Sequence, residues 1–176
     1  MSTGPRLSIL GGLPGVGKTT LARALAAQLK AAYVRVDSLE QALLDTRRLA
    51  GPLDDAGYRL AYVVALDNLR LGLSVVADSV NPIAVTRRAW RDVAQRAGVP
   101  ALEVQVVCSD REEHARRVRS RSTDIAGLRL PTWPDVLARE RESEPWQPDV
   151  SIDTAVRSIE QSAQLVATAC ATEPGR

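Results

Sequence analysis

Gly12-Leu13-Pro14-Gly15-Val16-Gly17-Lys18-Thr19 runs glycine, four residues, glycine, lysine and threonine, the spacing of a loop that cradles phosphate. Its surroundings agree. The short apolar run Leu7–Gly11 precedes it, and Leu21, Ala22, Leu25, Ala26 and Leu29 recur at helical spacing between Lys18 and Lys30. Glycines let the backbone curl so that successive N–H groups converge on phosphate oxygens. The N-terminus of the following helix adds its dipole at the same spot. Lys18 would bring a full charge to the terminal phosphates, and the Thr19 hydroxyl would ligate magnesium. The stretch Gly12, Leu13, Pro14, Gly15, Val16, Gly17, Lys18, Thr19 and Thr20 is therefore expected to bind ATP with Mg2+.

Outward from the loop, short β-like runs alternate with helical segments. Tyr33–Val36 reads as a second strand ending at Asp37, and Ser74–Ala77 as a third delivering Asp78. Gly51, Pro52 and Gly57 mark residues 45–57 as a loop, followed by a helix through Leu60, Val63, Val64 and Leu71 that Gly72 closes. Asn81-Pro82 opens a helix that Gly98 ends. Leu102–Cys108 is strongly β-like, with Ser109 or Asp110 placed to cap an arginine-rich helix. A helix from Pro131 to about Arg141, a weak strand Val150–Asp153 and a helix Ala155–Ala171 complete the pattern. This alternation predicts an α/β fold, a parallel sheet with helices on both faces. Ligands in such folds bind beyond the carboxyl ends of the strands. The glycine loop, Asp37 and Asp78 should therefore converge on one crevice.

The bulk properties narrow the partners. The chain has 176 residues, 45% of them apolar and 25% charged, with a net charge of +2. That is one domain across residues 1–176 with enough apolar material for a core. The charge is too small to argue for nucleic acid or a membrane surface, and no run reaches the roughly 20 apolar residues of a membrane span. The N-terminus has no apolar stretch resembling a signal peptide, so the expected location is cytoplasmic. Cys108 and Cys170, the only cysteines, lack a partner at zinc-ligand spacing; Cys108 reads as a buried small hydrophobe. Trp90, Trp133 and Trp146 read as packing residues.

Four positions carry the chemistry beyond the loop. Asp78, at a strand end, would orient magnesium or its water ligands. Asp37, across the crevice from the γ-phosphate, could take the proton of an attacking hydroxyl; with Glu40 three residues later it could equally cap a helix. Arg117 and Arg121 are four apart and share a helical face, where a guanidinium pair can stabilise the charge of a transferring phosphoryl group. His114, the single histidine, is expected on the exposed side of that helix.

Together these features resemble the small phosphate-loop kinases of the AAA-33 type. That group is similar to chloramphenicol phosphotransferase, gluconate kinase and the kinase domain of phage polynucleotide kinase. The resemblance rests on residues 11–20, Val36-Asp-Ser-Leu-Glu40, Val76-Ala-Asp-Ser-Val-Asn-Pro82, Leu130-Pro-Thr-Trp133 and Ile152-Asp-Thr-Ala155. It implies a five-stranded adenylate-kinase-like sheet ordered 2-3-1-4-5, with an arginine-rich lid at about residues 116–133. It also implies Asp37 as general base, Arg117 and Arg121 on the donor phosphates, and Asp78, Ser79 and Asn81 on the acceptor side. Asp153 and Thr154 would lie close to the adenine. Where relatives often carry Arg-Glu-Tyr-Glu-Pro-Trp, this chain has Arg141-Glu-Ser-Glu-Pro-Trp146.

The reading is an ATP-dependent phosphotransferase acting on a small-molecule hydroxyl. Two alternatives share parts of it. A nucleic-acid 5′-hydroxyl kinase would need a basic channel tracking a strand. A nucleotide-binding ATPase or switch module would need an attached domain to move. Neither the acceptor nor the oligomeric state is legible in these residues.

Overall fold

The computed structural model describes residues 4–46 and 53–172, so Gly51 and Pro52 of the expected loop lie outside the described residues. In chain order the elements are β1 (Leu7–Gly11), α1 (Lys18–Leu29), β2 (Ala32–Arg35), α2 (Val36–Asp45), α3 (Ala56–Arg70) and β3 (Val75–Asp78). They continue with α4 (Ala84–Ala97), β4 (Ala101–Val107), α5 (Arg111–Ser120), α6 (Trp133–Glu142), β5 (Val150–Asp153) and α7 (Ile159–Ala171). The described strands form one parallel sheet ordered β2-β3-β1-β4-β5, the order the resemblance implied.

Alternation along each strand builds three layers. Leu7, Ile9, Val75, Ala77 and Val34 face one side of the sheet and pack with Ala61, Ala65, Leu69, Trp90 and Val93 from α3 and α4. Leu10, Val76, Val104, Val106 and Ile152 face the other side, against Leu21, Leu25, Ala163 and Val166 from α1 and α7. Leu21 and Leu25 are fully buried, each contributing about 1.5–3 kcal/mol of apolar burial.

Register brings the functional ends together. Leu10 and Arg35 both pair with Asp78, and Gly11 pairs with Gln105. Several boundaries differ from expectation: α3 begins at Ala56, inside the expected loop, and α4 at Ala84 rather than at Asn81-Pro82. The second strand stops at Arg35 and α2 begins at once, so Asp37 lies in the first turn of a helix and makes no side-chain cap. The last helix starts at Ile159 rather than Ala155, because Ser158 and Gln161 close a reciprocal capping box there.

Candidate active site

The phosphate loop leaves β1 at Gly11 and enters α1 at Lys18. Gly15 has φ +90°, and a Cβ there would collide with Val118, so the loop requires glycine at this point. α1 starts with no side-chain cap at Gly17 and no acidic residue in its first turn. Its first N–H groups are therefore free for an anion. Leu13, Pro14, Gly15, Gly17, Lys18, Thr19 and Thr20 all line a cavity of about 890 Å³.

Lys18 and Asp78 form a buried ion pair beneath that cavity. Lys18 Nζ lies 2.5 Å from Asp78 Oδ1, and the Tyr33 hydroxyl donates to Asp78 Oδ2 at 2.7 Å. Burial alone would push the Asp78 carboxyl up. The Lys18 charge and hydrogen bonds from Lys18, Tyr33 and Thr19 outweigh it and hold Asp78 below the usual carboxylate range. Asp78 does not line the large cavity; it sits under Lys18, with its oxygens already engaged.

Asp37 does line the cavity, with 41% of its side chain exposed and Arg35 Nε at 4.0 Å. Glu40, Asp54, Asp55 and Tyr58 share that wall. Burial pushes the Glu40 carboxyl up, and the nearby charge of Asp37 adds to the effect. A hydroxyl-bearing molecule held here would face the phosphate loop across the crevice.

Arg117 and Arg121 line the same cavity but are held differently. Arg117 is anchored: its Nε donates to Glu113 at 2.7 Å, NH1 to Thr154 Oγ1 at 2.8 Å and NH2 to the Thr154 carbonyl at 3.1 Å. Arg121 caps the end of α5; its NH2 donates to the Pro131 carbonyl at 3.4 Å and its buried Nε has no partner among the described residues. Burial lowers the Arg121 pKa and the Asp37 charge raises it. Past Ser120 the chain is irregular as far as Thr132. There Asp124 pairs with Arg23 of α1 and with Arg35 NH1 at 2.9 Å, tying this segment to both walls of the cavity.

Thr154 points its hydroxyl under the phosphate loop, 2.6 Å from the Val16 carbonyl and 3.2 Å from the Val107 carbonyl. Asp153 accepts from the N–H groups of Ser109 at 3.1 Å and Ala155 at 3.0 Å, which fixes the ends of β4 and β5 to each other. His114 is buried rather than exposed, 6% accessible, with Nε2 2.9 Å from the Pro14 carbonyl and its ring edge-on to Trp133.

Asn81 lines a second, smaller cavity of about 250 Å³ on the far side of Leu13, not the cavity of Asp37. Its amide is 2% exposed, and neither Oδ1 nor Nδ2 has a partner among the described residues. Ser143 lines the same space. Cys108 is half-buried at its edge, not the buried hydrophobe expected. Trp146 packs over Gly11, donates to Glu103 at 3.1 Å and stacks near Arg87.

Sequence reasoning did not single out Tyr33, Arg35, Tyr58 or Asp124. Arg35 stands two residues before Asp37 and Tyr33 four before it, so strand alternation up to Asp37 could have flagged them. Asp124 acts only through a fold that brings residues 23, 35 and 124 together.

The model of the AAA domain family AAA_33 matches residues 7–132. The adenylyl-sulfate kinase of Myxococcus xanthus (strain DK1622) is 30% identical over 161 residues, covering 86% of this chain and 83% of that protein. Among solved structures, the Mycobacterium tuberculosis APS kinase in complex with AMPPNP and APS superposes with TM-score 0.69 at 23% identity, covering 97% of this chain and all of that one. A gluconokinase from Sinorhizobium meliloti 1021 gives TM-score 0.67 at 18% identity, over 95% and 92% of the two chains. At those identities the structures speak for the fold. No helix among the described residues is long and apolar enough to cross a membrane.

Proposed function

This chain belongs to the AAA domain family AAA_33 of small phosphate-loop kinases, and we propose that it transfers the γ-phosphoryl group of ATP to a small-molecule hydroxyl with Asp37 as general base. The carrying observation is that Asp37, Lys18, Arg117 and Arg121 all line the same cavity. The acceptor hydroxyl gives its proton to the Asp37 carboxylate as its oxygen bonds to the γ-phosphorus. The bond from that phosphorus to the β–γ bridging oxygen breaks, and ADP leaves. Lys18 and the two arginines offset the charge on the transferring oxygens. The segment held by Asp124 screens the cavity from water, which would otherwise compete with the acceptor.

The residues fit magnesium in the way that phosphate-bound Mg2+ is usually held. The Thr19 hydroxyl lines the cavity and Asp78 lies beneath it; among the described residues no group of three or more His, Cys, Asp or Glu could hold a metal on its own. The Thr19 hydroxyl would hold Mg2+ together with the nucleotide phosphates, and Asp78 would join it only by exchanging its contact with Lys18 or Tyr33. When bound it would neutralise phosphate charge.

The curated relatives make adenylyl sulfate the first acceptor to try. ADP release from Mg-ATP, measured with adenylyl sulfate and then with sugars, nucleosides, antibiotics and amino alcohols, tests the reading. One acceptor must raise ADP release well above the acceptor-free rate. Equal rates with every acceptor, coupled instead to a protein partner, would favour an ATPase module.

A further inference from the structure

Two buried side chains lie under the phosphate loop and reach its carbonyls, Thr154 also lying 3.2 Å from the Val107 carbonyl of β4 and His114 packing on Trp133. Thr154, at the end of β5, is 6% exposed, and its hydroxyl donates to the Val16 carbonyl at 2.6 Å. His114, on α5, is also 6% exposed, with Nε2 2.9 Å from the Pro14 carbonyl. A carbonyl only accepts, so His114 presents Nε2–H to it.

In a trans peptide the carbonyl of one residue and the N–H of the next point in opposite directions. Holding Pro14 O and Val16 O down therefore turns the N–H groups of Gly15 and Gly17 up. Gly15 and Gly17 line the large cavity, whereas Val16 does not. Neither N–H has a hydrogen-bond partner among the described residues. Both glycines have φ near +90°, a conformation in which successive amides form an anion-binding concavity. Left unheld, such glycines would spread over many conformations.

We propose that Thr154 and His114 are positioning residues that pre-orient the Gly17 and Gly15 amides toward the nucleotide phosphates. Thr154 extends the effect to the lid, because the same hydroxyl accepts from Arg117 NH1 at 2.8 Å. Arg117 spends three N–H groups on Glu113 and Thr154, and the remaining two are left for a ligand. One hydroxyl thus sets the phosphate loop and a lid arginine relative to each other. The proposal rests on residues 12–20 being the nucleotide site and not on any acceptor, so it stands or falls separately from the role of Asp37.

The test is titration of the full chain with Mg-ADP and, separately, with inorganic pyrophosphate, which carries phosphates and no base. Thr154→Val should bind both about tenfold more weakly, the effect of one lost hydrogen bond of about 1.4 kcal/mol. Thr154→Ser, which keeps the hydroxyl, should stay within about twofold of wild type. Thr154→Ala removes the same hydroxyl and replaces Thr154→Val if that variant does not fold. His114→Gln, whose amide can donate from near the Nε2 position, should bind better than His114→Leu. Wild-type affinity in Thr154→Val, or an equal loss in Thr154→Ser, overturns the assignment. A loss confined to ADP, with pyrophosphate unchanged, overturns it too, since that would place Thr154 at the base.

Discussion

The Lys18 ammonium lies 2.5 Å from Asp78 Oδ1, with 8% and 1% of the two side chains exposed. The lysine proposed to bind the nucleotide phosphates is thus also half of a buried ion pair. Removing one partner of such a pair strands the other charge, at a cost of about 3–5 kcal/mol. Lys18→Ala should therefore lower the urea midpoint as well as abolish nucleotide binding. Lys18→Met combined with Asp78→Asn should recover much of the stability and none of the binding.

The same pair sets an acid limit. The Asp78 carboxyl in the folded chain lies below its ordinary value, so its contribution is full above the unfolded pKa of about 3.9. It is lost as the pH falls through the lower folded value. Thermal melts between pH 6 and pH 3 should show a smaller fall in Tm for Asp78→Asn than for wild type. An identical fall would mean that the pair does not titrate in this way.

Asp124 joins the irregular segment after α5 to Arg23 and Arg35 through side chains that are about half exposed on the Arg23 and Asp124 sides. Exposed ion pairs stabilise by about 0–1 kcal/mol, so Asp124→Ala should leave Tm nearly unchanged. Its effect should fall on water exclusion: acceptor-independent ATP hydrolysis should rise several-fold relative to transfer. Added salt should move the wild type toward the variant.

Ser143 borders the 250 Å³ cavity that also holds the unpartnered Asn81 amide. Ser143→Tyr should fill it and stabilise the chain by about 0.5–2 kcal/mol, the usual gain from cavity filling. Differential scanning calorimetry reads this as a higher Tm; a lower one would mean that the ring does not fit.

Much of this arrangement was legible because it is local. The phosphate loop, its strand and its helix are contiguous; Asp78 ends β3, where periodicity alone can find it, and Asp37 follows β2 by two residues, in the first turn of α2. Caps were legible for the same reason: Asp110 does accept from Glu113 N–H, at 3.0 Å. What escaped depends on residues far apart in the chain. His114 lies on a helix whose sequence is charged nearly throughout, so only the fold reveals that its ring turns inward beneath Pro14. Thr154 is 138 residues from Val16, and no pattern predicts that its hydroxyl is spent on that carbonyl. Asn81 follows Asp78 closely, yet its left-handed backbone, φ +56°, turns its side chain into the smaller cavity.

The most direct measurement is transfer of labelled γ-phosphate from ATP by wild type and by Asp37→Asn, with Mg-ATP affinity determined for both. Loss of a general base typically costs about 10²–10⁴-fold in rate. Asp37 touches neither the phosphate loop nor Lys18 through any hydrogen bond found among the described residues, so nucleotide affinity should hold. A drop of that size in acceptor phosphorylation with unchanged Mg-ATP binding is the expected result. Full transfer by Asp37→Asn at wild-type affinity would contradict the assignment.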